Sequence, residues 1–358
     1  MKLKNIKITV LLVAIFSVTQ TMLPSLIYSQ SEANDPYHIE GEKHLKNIKM
    51  LTHGGENAEA YFAFNENNLI YQATVGNLKC DQIFTMNLDG SGKKMVSSGK
   101  GRTTCAYFLP QDKKILYSST HLADSYCPPL PDRSKGYVWK LYDSFDIFIA
   151  DEDGSNLKSL TDTPGYDAEA TVSPRGDKIV FTSSRSGDPE IYTMDFDGSN
   201  QSRLTFTKGY DGGAFFSHDG SKIVFRASRP KTKIEMEDYN ELVRDGLYRP
   251  SIMEIYVMDA NGKNMRQVTD FGKASFAPFF HPDGKRIIFS SNVNSKKGRN
   301  FDLFMINVDG SGLEQITSNE TFDGFPMFTK DGMLLVFASN RFNNKKRETN
   351  IFIAEWVN

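Results

Sequence analysis

Apolar residues along most of this chain gather in runs of five or six, rich in β-branched and aromatic types, and Asp-Gly, Pro-Asp-Gly or Ser-rich turns separate the runs. Runs of this length and composition, with no competing helical periodicity, predict strands. One type occurs six times: LIYQA (69–73), ILYSS (115–119), IVFTS (179–183), IVFRA (223–227), IIFSS (287–291) and LVFAS (335–339). A second also occurs six times: QIFTMN (82–87), DIFIAD (146–151), EIYTMD (190–195), EIYVMD (254–259), DLFMIN (302–307) and NIFIAE (350–355). Before each run of the first type stands a further strand ending in a tight turn, as in ATVSPRGD, AFFSHDGS and PFFHPDGK. After most runs of the second type comes a turn and a short strand ending in Leu-Thr or a relative of it.

Four strands per unit, named A to D in order, make one antiparallel sheet too small to bury both faces alone. Six such sheets packed radially about an axis bury them and leave only short edges. The chain is therefore expected to be all-β, a six-bladed β-propeller of four-stranded antiparallel blades. The sixth C run ends close to Asn358 with no D strand after it, and IKMLT at 48–52 matches the missing phrase. That N-terminal strand, 48–52, is expected to complete the last blade and close the ring, with the propeller at 47–358 and 30–46 as a linker or arm.

The stretch DEDGSNLKSLTD (151–162) opens like a calcium loop, but an EF-hand needs glycine sixth and a bidentate Glu twelfth. Here Gly154 is fourth and position twelve is Asp162. The phrase returns as DFDGSNQSRLT (195–205), NVDGSGLEQIT (307–317) and DANGKNMRQVT (259–269), which makes it the hairpin between strands C and D. These phrases, with the SPDG-like turns and KIVF-like strands that follow, resemble the TolB-type propeller repeats, themselves similar to WD repeats. The resemblance covers nearly the whole chain after its N-terminus and implies a periplasmic propeller that binds proteins, with, by analogy, a role near the Tol-Pal envelope system. It departs from that family in one respect: TolB proteins carry an α/β domain before the propeller, and fewer than about twenty residues are available for one here. Similar propellers also precede the hydrolase domain of prolyl oligopeptidase-like enzymes, and no such domain is expected to follow.

Net charge is -2, so nothing favours nucleic acid as a partner. Lys2, Lys4 and Lys7 precede the apolar run ITVLLVAIFSV, which reads as a signal peptide over 1–29 cut near Ser29 or Ser31. The mature protein is then expected to be periplasmic or secreted, soluble, without a membrane span, and monomeric. Only Cys80, Cys105 and Cys127 are available for disulfides, so at least one thiol is left over or pairs elsewhere.

Candidate chemistry follows from aligning the units on the B-strand aromatic, Tyr71, Tyr117, Phe181, Phe225, Phe289 and Phe337. Fourteen residues earlier stand Asn57, Thr103, Asp167, Asp211, Ser275 and Asp323; twelve earlier stand Glu59, Cys105, Glu169, Gly213, Ala277 and Phe325. These positions should ring one mouth of the central channel, where Glu59, Asp167, Glu169, Asp211 and Asp323 could converge. Such a cluster raises its own pKa values or recruits a cation or an Arg/Lys partner. Local Asx-turn capping is the competing account of each Asp. No cofactor is required, although a structural calcium on Asp167, Asp211 and Asp323 would fit. Two insertions replace B-to-C loops on this face: 121–145, rich in proline and aromatics, and 229–253, with a short helix expected between its ends. They should flank blade 3, whose own loop carries Arg185; Arg229, Tyr137 and Trp139 are further binding candidates, the rings otherwise packing the loop down. His218 and His281, in A-to-B turns of the opposite face, are expected to be solvated.

Two functions compete. One is an exported, non-catalytic binding protein of the cell envelope, recognising a protein or cell-wall partner through the insertion-bearing face. The alternative is a glycan- or peptide-processing enzyme with a carboxylate site at the channel mouth. There is no G-x-S-x-G elbow, no H-E-x-x-H and no dense histidine cluster, and binding is preferred.

Overall fold

A computed structural model describes residues 35–343, 345 and 348–358; the signal peptide expected at 1–29 lies outside the described residues. The six blades form, each an antiparallel sheet of four strands in the order A-B-C-D. Blade 3 shows the pattern, with strand A at Asp167–Val172, B at Ile179–Ser183, C at Glu190–Met194 and D at Ser202–Arg203. Each A strand packs against the A strands of both neighbouring blades, so the six form the innermost ring. The D strands of blades 1 to 5 are two residues long, which leaves little unpaired edge.

The repeated aromatics explain why these segments pair. In every blade the B-strand aromatic lies in register with an aromatic of strand C: Tyr71 with Phe84, Tyr117 with Phe148, Phe181 with Tyr192, Phe225 with Tyr256, Phe289 with Phe304, and Phe337 with Phe352. Their ring centroids lie 5.7 to 6.2 Å apart, and such a pair contributes roughly 0.5–1.5 kcal/mol beyond its buried area. The Leu-Thr endings have a second role. Thr205 accepts the Ile191 N–H at 2.9 Å and also bonds Glu190 at the start of strand C; Thr161, Thr269 and Thr317 accept the equivalent N–H in blades 2, 4 and 5.

Thr52 does the same in blade 6, accepting the Ile351 N–H at 2.9 Å. The ring therefore closes through the N-terminal strand, which runs Leu45–Met50 and pairs antiparallel with Asn350–Trp356. Residues just before it, expected as part of a linker or arm, lie against blade 6. Tyr37 meets Phe352 edge-on at 5.6 Å, and Glu42 is buried.

The DGSN phrase is a hairpin held by its own residues. Gly154 donates to the Asp151 carbonyl at 2.9 Å, Ser155 N–H donates to Asp153 Oδ1 at 2.9 Å, and Asn156 Nδ2 donates to Asp151 Oδ2 at 2.7 Å. Gly154 has φ +89°, and a Cβ there would lie 2.1 Å from the Val96 carbonyl oxygen of blade 1, so the position needs glycine twice over. On that same face His281 departs from expectation. It is buried, because Phe328 (4.8 Å) and Trp356 (6.3 Å) of the last blade close over it; His218 is half-buried against Phe279.

Candidate functional site

A β-bulge shapes the channel mouth. In all six blades the A–B register shifts at one equivalent place, and the residue there is left-handed: Glu59 (φ 52°), Cys105 (53°), Glu169 (58°), Gly213 (58°), Ala277 (49°) and Phe325 (55°). Five of the six are not glycine, and such backbone costs on the order of 1–3 kcal/mol per residue. The bulge turns every one of these residues toward a single cavity of about 1110 Å³. These are the six residues that the repeat alignment placed twelve positions before the B-strand aromatic.

The other aligned column behaves differently. Asp167 pairs with Arg185 at 2.6 Å, Asp211 with Arg229 at 2.6 Å, and Asp323 with Arg341 at 3.1 Å. Each arginine stands eighteen residues after its aspartate. Where the first residue is uncharged, at Asn57, Thr103 and Ser275, position eighteen is Val75, His121 and Val293. Thr103 and Ser275 instead bond Ser119 and Ser291 across the strands, each at 3.0 Å. These aspartates are fully buried and none lines the cavity. Of the five carboxylates expected to converge, Glu59 and Glu169 alone reach the mouth. Among the described residues no group of three or more His, Cys, Asp or Glu side chains is placed to hold a metal ion; the aspartates weighed for calcium each face an arginine.

Glu169 is held from four sides. Its carboxylate accepts from Tyr210 Oη at 2.9 Å, Thr182 Oγ1 at 2.8 Å and the Gly213 N–H at 2.9 Å, and forms an ion pair with Arg226. Arg226 also donates to Tyr210 Oη at 2.9 Å, and its guanidinium lies 5.4 Å from the Trp139 ring and 5.5 Å from Tyr210. Gly213 makes room for it, since a Cβ there would sit 1.9 Å from Arg226 Nη1. Arg226 is absent from the sequence-based candidates. Its signal is a lone charge inside IVFRA, where the other blades place Gln72, Ser118, Thr182, Ser290 and Ala338.

The insertions do more than flank blade 3. Trp139–Lys140 of the first pairs antiparallel with Leu247–Tyr248 of the second, so together they roof part of the cavity. Lys135 bridges to Glu241 (3.0 Å) and Asp245 (2.7 Å), at the end of helix α1 (Lys233–Arg244). That helix begins with a capping box on Thr232 and Glu235. It is fastened to blade 3 where Tyr239 Oη donates to Asp188 at 2.5 Å. Tyr210 stacks on Tyr248 with centroids 4.2 Å apart. Tyr137 is largely exposed, and the Trp139 Nε1–H donates to its hydroxyl at 3.2 Å. Cys127 of the first insertion is disulfide-bonded to Cys80 of blade 1, and Cys105 is free. Burial, together with Glu59 and Glu169, pushes the Cys105 thiol well up, which keeps it protonated.

Glu59 has no such support. Its nearest polar neighbours are the Tyr61 hydroxyl at 3.4 Å and the Cys105 thiol. Burial first, and then the Glu169 and Asp81 charges, push its carboxyl up to about 7, against opposing effects of Cys105 and Arg226. The folded protein thus favours the neutral acid: stability associated with Glu59 is complete below the unfolded-state value and is lost as pH rises through 7. The displacement from 4.5 to about 7 converts to about 3 kcal/mol, and solvent access from the cavity lowers this to about 2 kcal/mol. Glu59→Gln, neutral throughout, is expected to stabilise by that amount near pH 8 and by little near pH 4. Urea unfolding at both pH values measures it, and equal effects at both would refute the assignment.

A family model described as TolB beta propeller domain matches residues 131–245 and 246–346. The Tol-Pal system protein TolB of Bordetella pertussis is 51% identical over 39 residues, 11% of this chain; the match spans 9% of that relative's length. Among solved structures, a putative TolB from Agrobacterium tumefaciens superposes with a TM-score of 0.53 at 16% identity, covering 85% of this chain and 91% of the other. TolB from Acinetobacter baumannii gives 0.53 at 19% identity, covering 84% of this chain and 63% of the other. At these identities the structural likeness is one of fold.

Proposed function

We propose a function from one premise: the chain belongs to the TolB beta propeller domain family, whose model matches more than half of its residues. It acts as an exported, non-catalytic binding protein of the cell envelope, periplasmic or secreted. It recognises a protein or cell-wall partner through the insertion-bearing face, in relation to the Tol-Pal system for which its curated relatives are named. The observation that carries this reading is the cavity of about 1110 Å³ at the channel mouth, part-roofed by two mutually paired insertions and walled by aromatic rings. Concave, largely apolar sites with a few placed charges are the usual form of a recognition site, and insertions of this length in a compact repeat commonly carry recognition. Among the described residues no helix is long and apolar enough to cross a membrane.

Affinity capture from envelope extract and from isolated cell wall tests the reading, comparing the wild-type chain with a variant lacking 122–141. The wild type should retain a defined partner that the variant, still folded by circular dichroism, releases. Equal retention by both would place recognition elsewhere.

A second reading has one observation in its favour. Glu59, with its carboxyl near 7, lines the same cavity as Glu169, whose carboxylate is ion-paired with Arg226. A proton donor and an ionised carboxylate in one site is the pairing that glycan or peptide cleavage requires. Turnover of peptidoglycan fragments or oligosaccharides that disappears in Glu59→Ala or Glu169→Ala would establish the enzyme.

A further inference from the structure

The charges around the cavity are not equally available. Arg226 is committed to Glu169, and its Nε is inaccessible. Lys140 donates to the Asp245 carbonyl at 2.7 Å, and Arg102 has Asp81 at 3.9 Å. Arg299 is exposed, on the B-to-C loop of blade 5. Like Arg299, Glu59 has no oppositely charged group within ion-pairing distance among the described residues, but it is part-buried where Arg299 is exposed. The cavity it lines carries aromatic rings beside its polar groups: Tyr61, Tyr166, Phe276, Phe322 and Phe325 share the lining with Gln72, Thr104 and Cys105. A carboxylate without a counter-ion, in a cavity that also presents aromatic rings able to attract positive charge, is a site for a cation carried on an apolar stem.

We infer that this cavity takes a ligand presenting a protonated primary amine or a guanidinium to the Glu59 carboxylate, with its apolar stem against the aromatic wall. The inference rests on the binding reading above and adds the chemical class of the group recognised. An anionic headgroup is disfavoured at this depth, since Arg226 is already neutralised and Glu59 would repel it.

The groups facing Glu59 fix the pH behaviour. Cys105 and Tyr61 are neutral, Glu169 and Asp81 add negative charge, and Arg226 offsets part of it. Binding a cation requires Glu59 to give up its proton, while an alkylamine remains protonated to about pH 10. Affinity should therefore rise about tenfold between roughly pH 6 and roughly pH 8 and level off above.

Isothermal titration of the full chain with phenethylamine and with phenylacetate, which share the ring and differ in the sign of the charge, tests this. Near pH 8 the amine should bind at least about tenfold more tightly than the acid. Glu59→Gln, shown to be folded by circular dichroism, should erase that preference and flatten the pH profile. Equal or tighter binding of phenylacetate, absence of binding by either compound at about 10 mM, or an unchanged preference in Glu59→Gln would each overturn the inference. A chain that fails here yet retains its envelope partner through 122–141 refutes the amine site and leaves the binding reading standing. Loss of partner retention with a normal amine profile does the reverse.

Discussion

Arg341→Ala lowers the unfolding free energy by about 3–5 kcal/mol at neutral pH, the loss expected when one partner of a buried ion pair is removed. Arg341 is 3% exposed, and its guanidinium uses its whole donor set. It holds both oxygens of Glu42 (2.9 and 3.0 Å), Asp323 Oδ2 (3.1 Å), Ser339 Oγ (3.1 Å) and the Tyr37 carbonyl (3.3 Å). Removing it strands two carboxylates beside a third, Asp302, which burial and the charges of Asp323 and Glu42 already push up to about 7. Stranded acids recover by binding protons, so the deficit should shrink as pH falls toward about 5. The effect also has a place. Glu42 belongs to the segment leading into Leu45–Met50, so hydrogen exchange should speed up in that strand before it does in blades 2 to 4. A loss under about 1 kcal/mol, or one that grows on acidification, would show that the ring is not latched here.

Sequence repetition made the architecture legible because each blade solves one packing problem with the same residues. The aromatic pairs, the Asp-Gly turns and the Leu-Thr endings recur at positions where cross-strand contact, positive φ and a buried N–H demand them. Thr52 confirms this at the seam, where it takes the bond that Thr205 makes in blade 3. The site was only half legible. The repeat spacing picks out the bulge column containing Glu59 and Glu169, which faces the cavity, yet the adjacent aspartate column is held in buried ion pairs. Its companion column, with Arg185, Arg229 and Arg341 where aspartate is present and Val75, His121 and Val293 where it is not, carried that information within the repeat itself. The pairing of Trp139–Lys140 with Leu247–Tyr248 had no local signal, since about a hundred residues separate strands of two residues each. Such a contact depends on where blades 2 and 4 aim their loops.

Arg226→Met destabilises the protein by about 3–4 kcal/mol, and adding Glu169→Gln returns it to within about 1 kcal/mol of wild type. The first change leaves Glu169 with its neutral donors, Tyr210, Thr182 and the Gly213 N–H, but without a cation. It also removes the charge lying beside the Trp139 and Tyr210 rings. The second change deletes the orphaned charge while an amide of the same shape keeps the hydrogen-bonding positions filled. Arg226→Lys should not substitute, because a compact ammonium lacks the planar fork that meets Glu169 and Tyr210 while also lying against the two rings. Urea unfolding of the four members of the cycle measures the coupling, and additive losses would refute the pair. The double variant also separates the roles of the two glutamates. Glu59 remains the cavity's one carboxylate, so the preference for phenethylamine over phenylacetate should survive with its rise through about pH 7. If the preference instead disappears with Glu169, the counter-ion lies in the Glu169–Arg226 pair and not at Glu59.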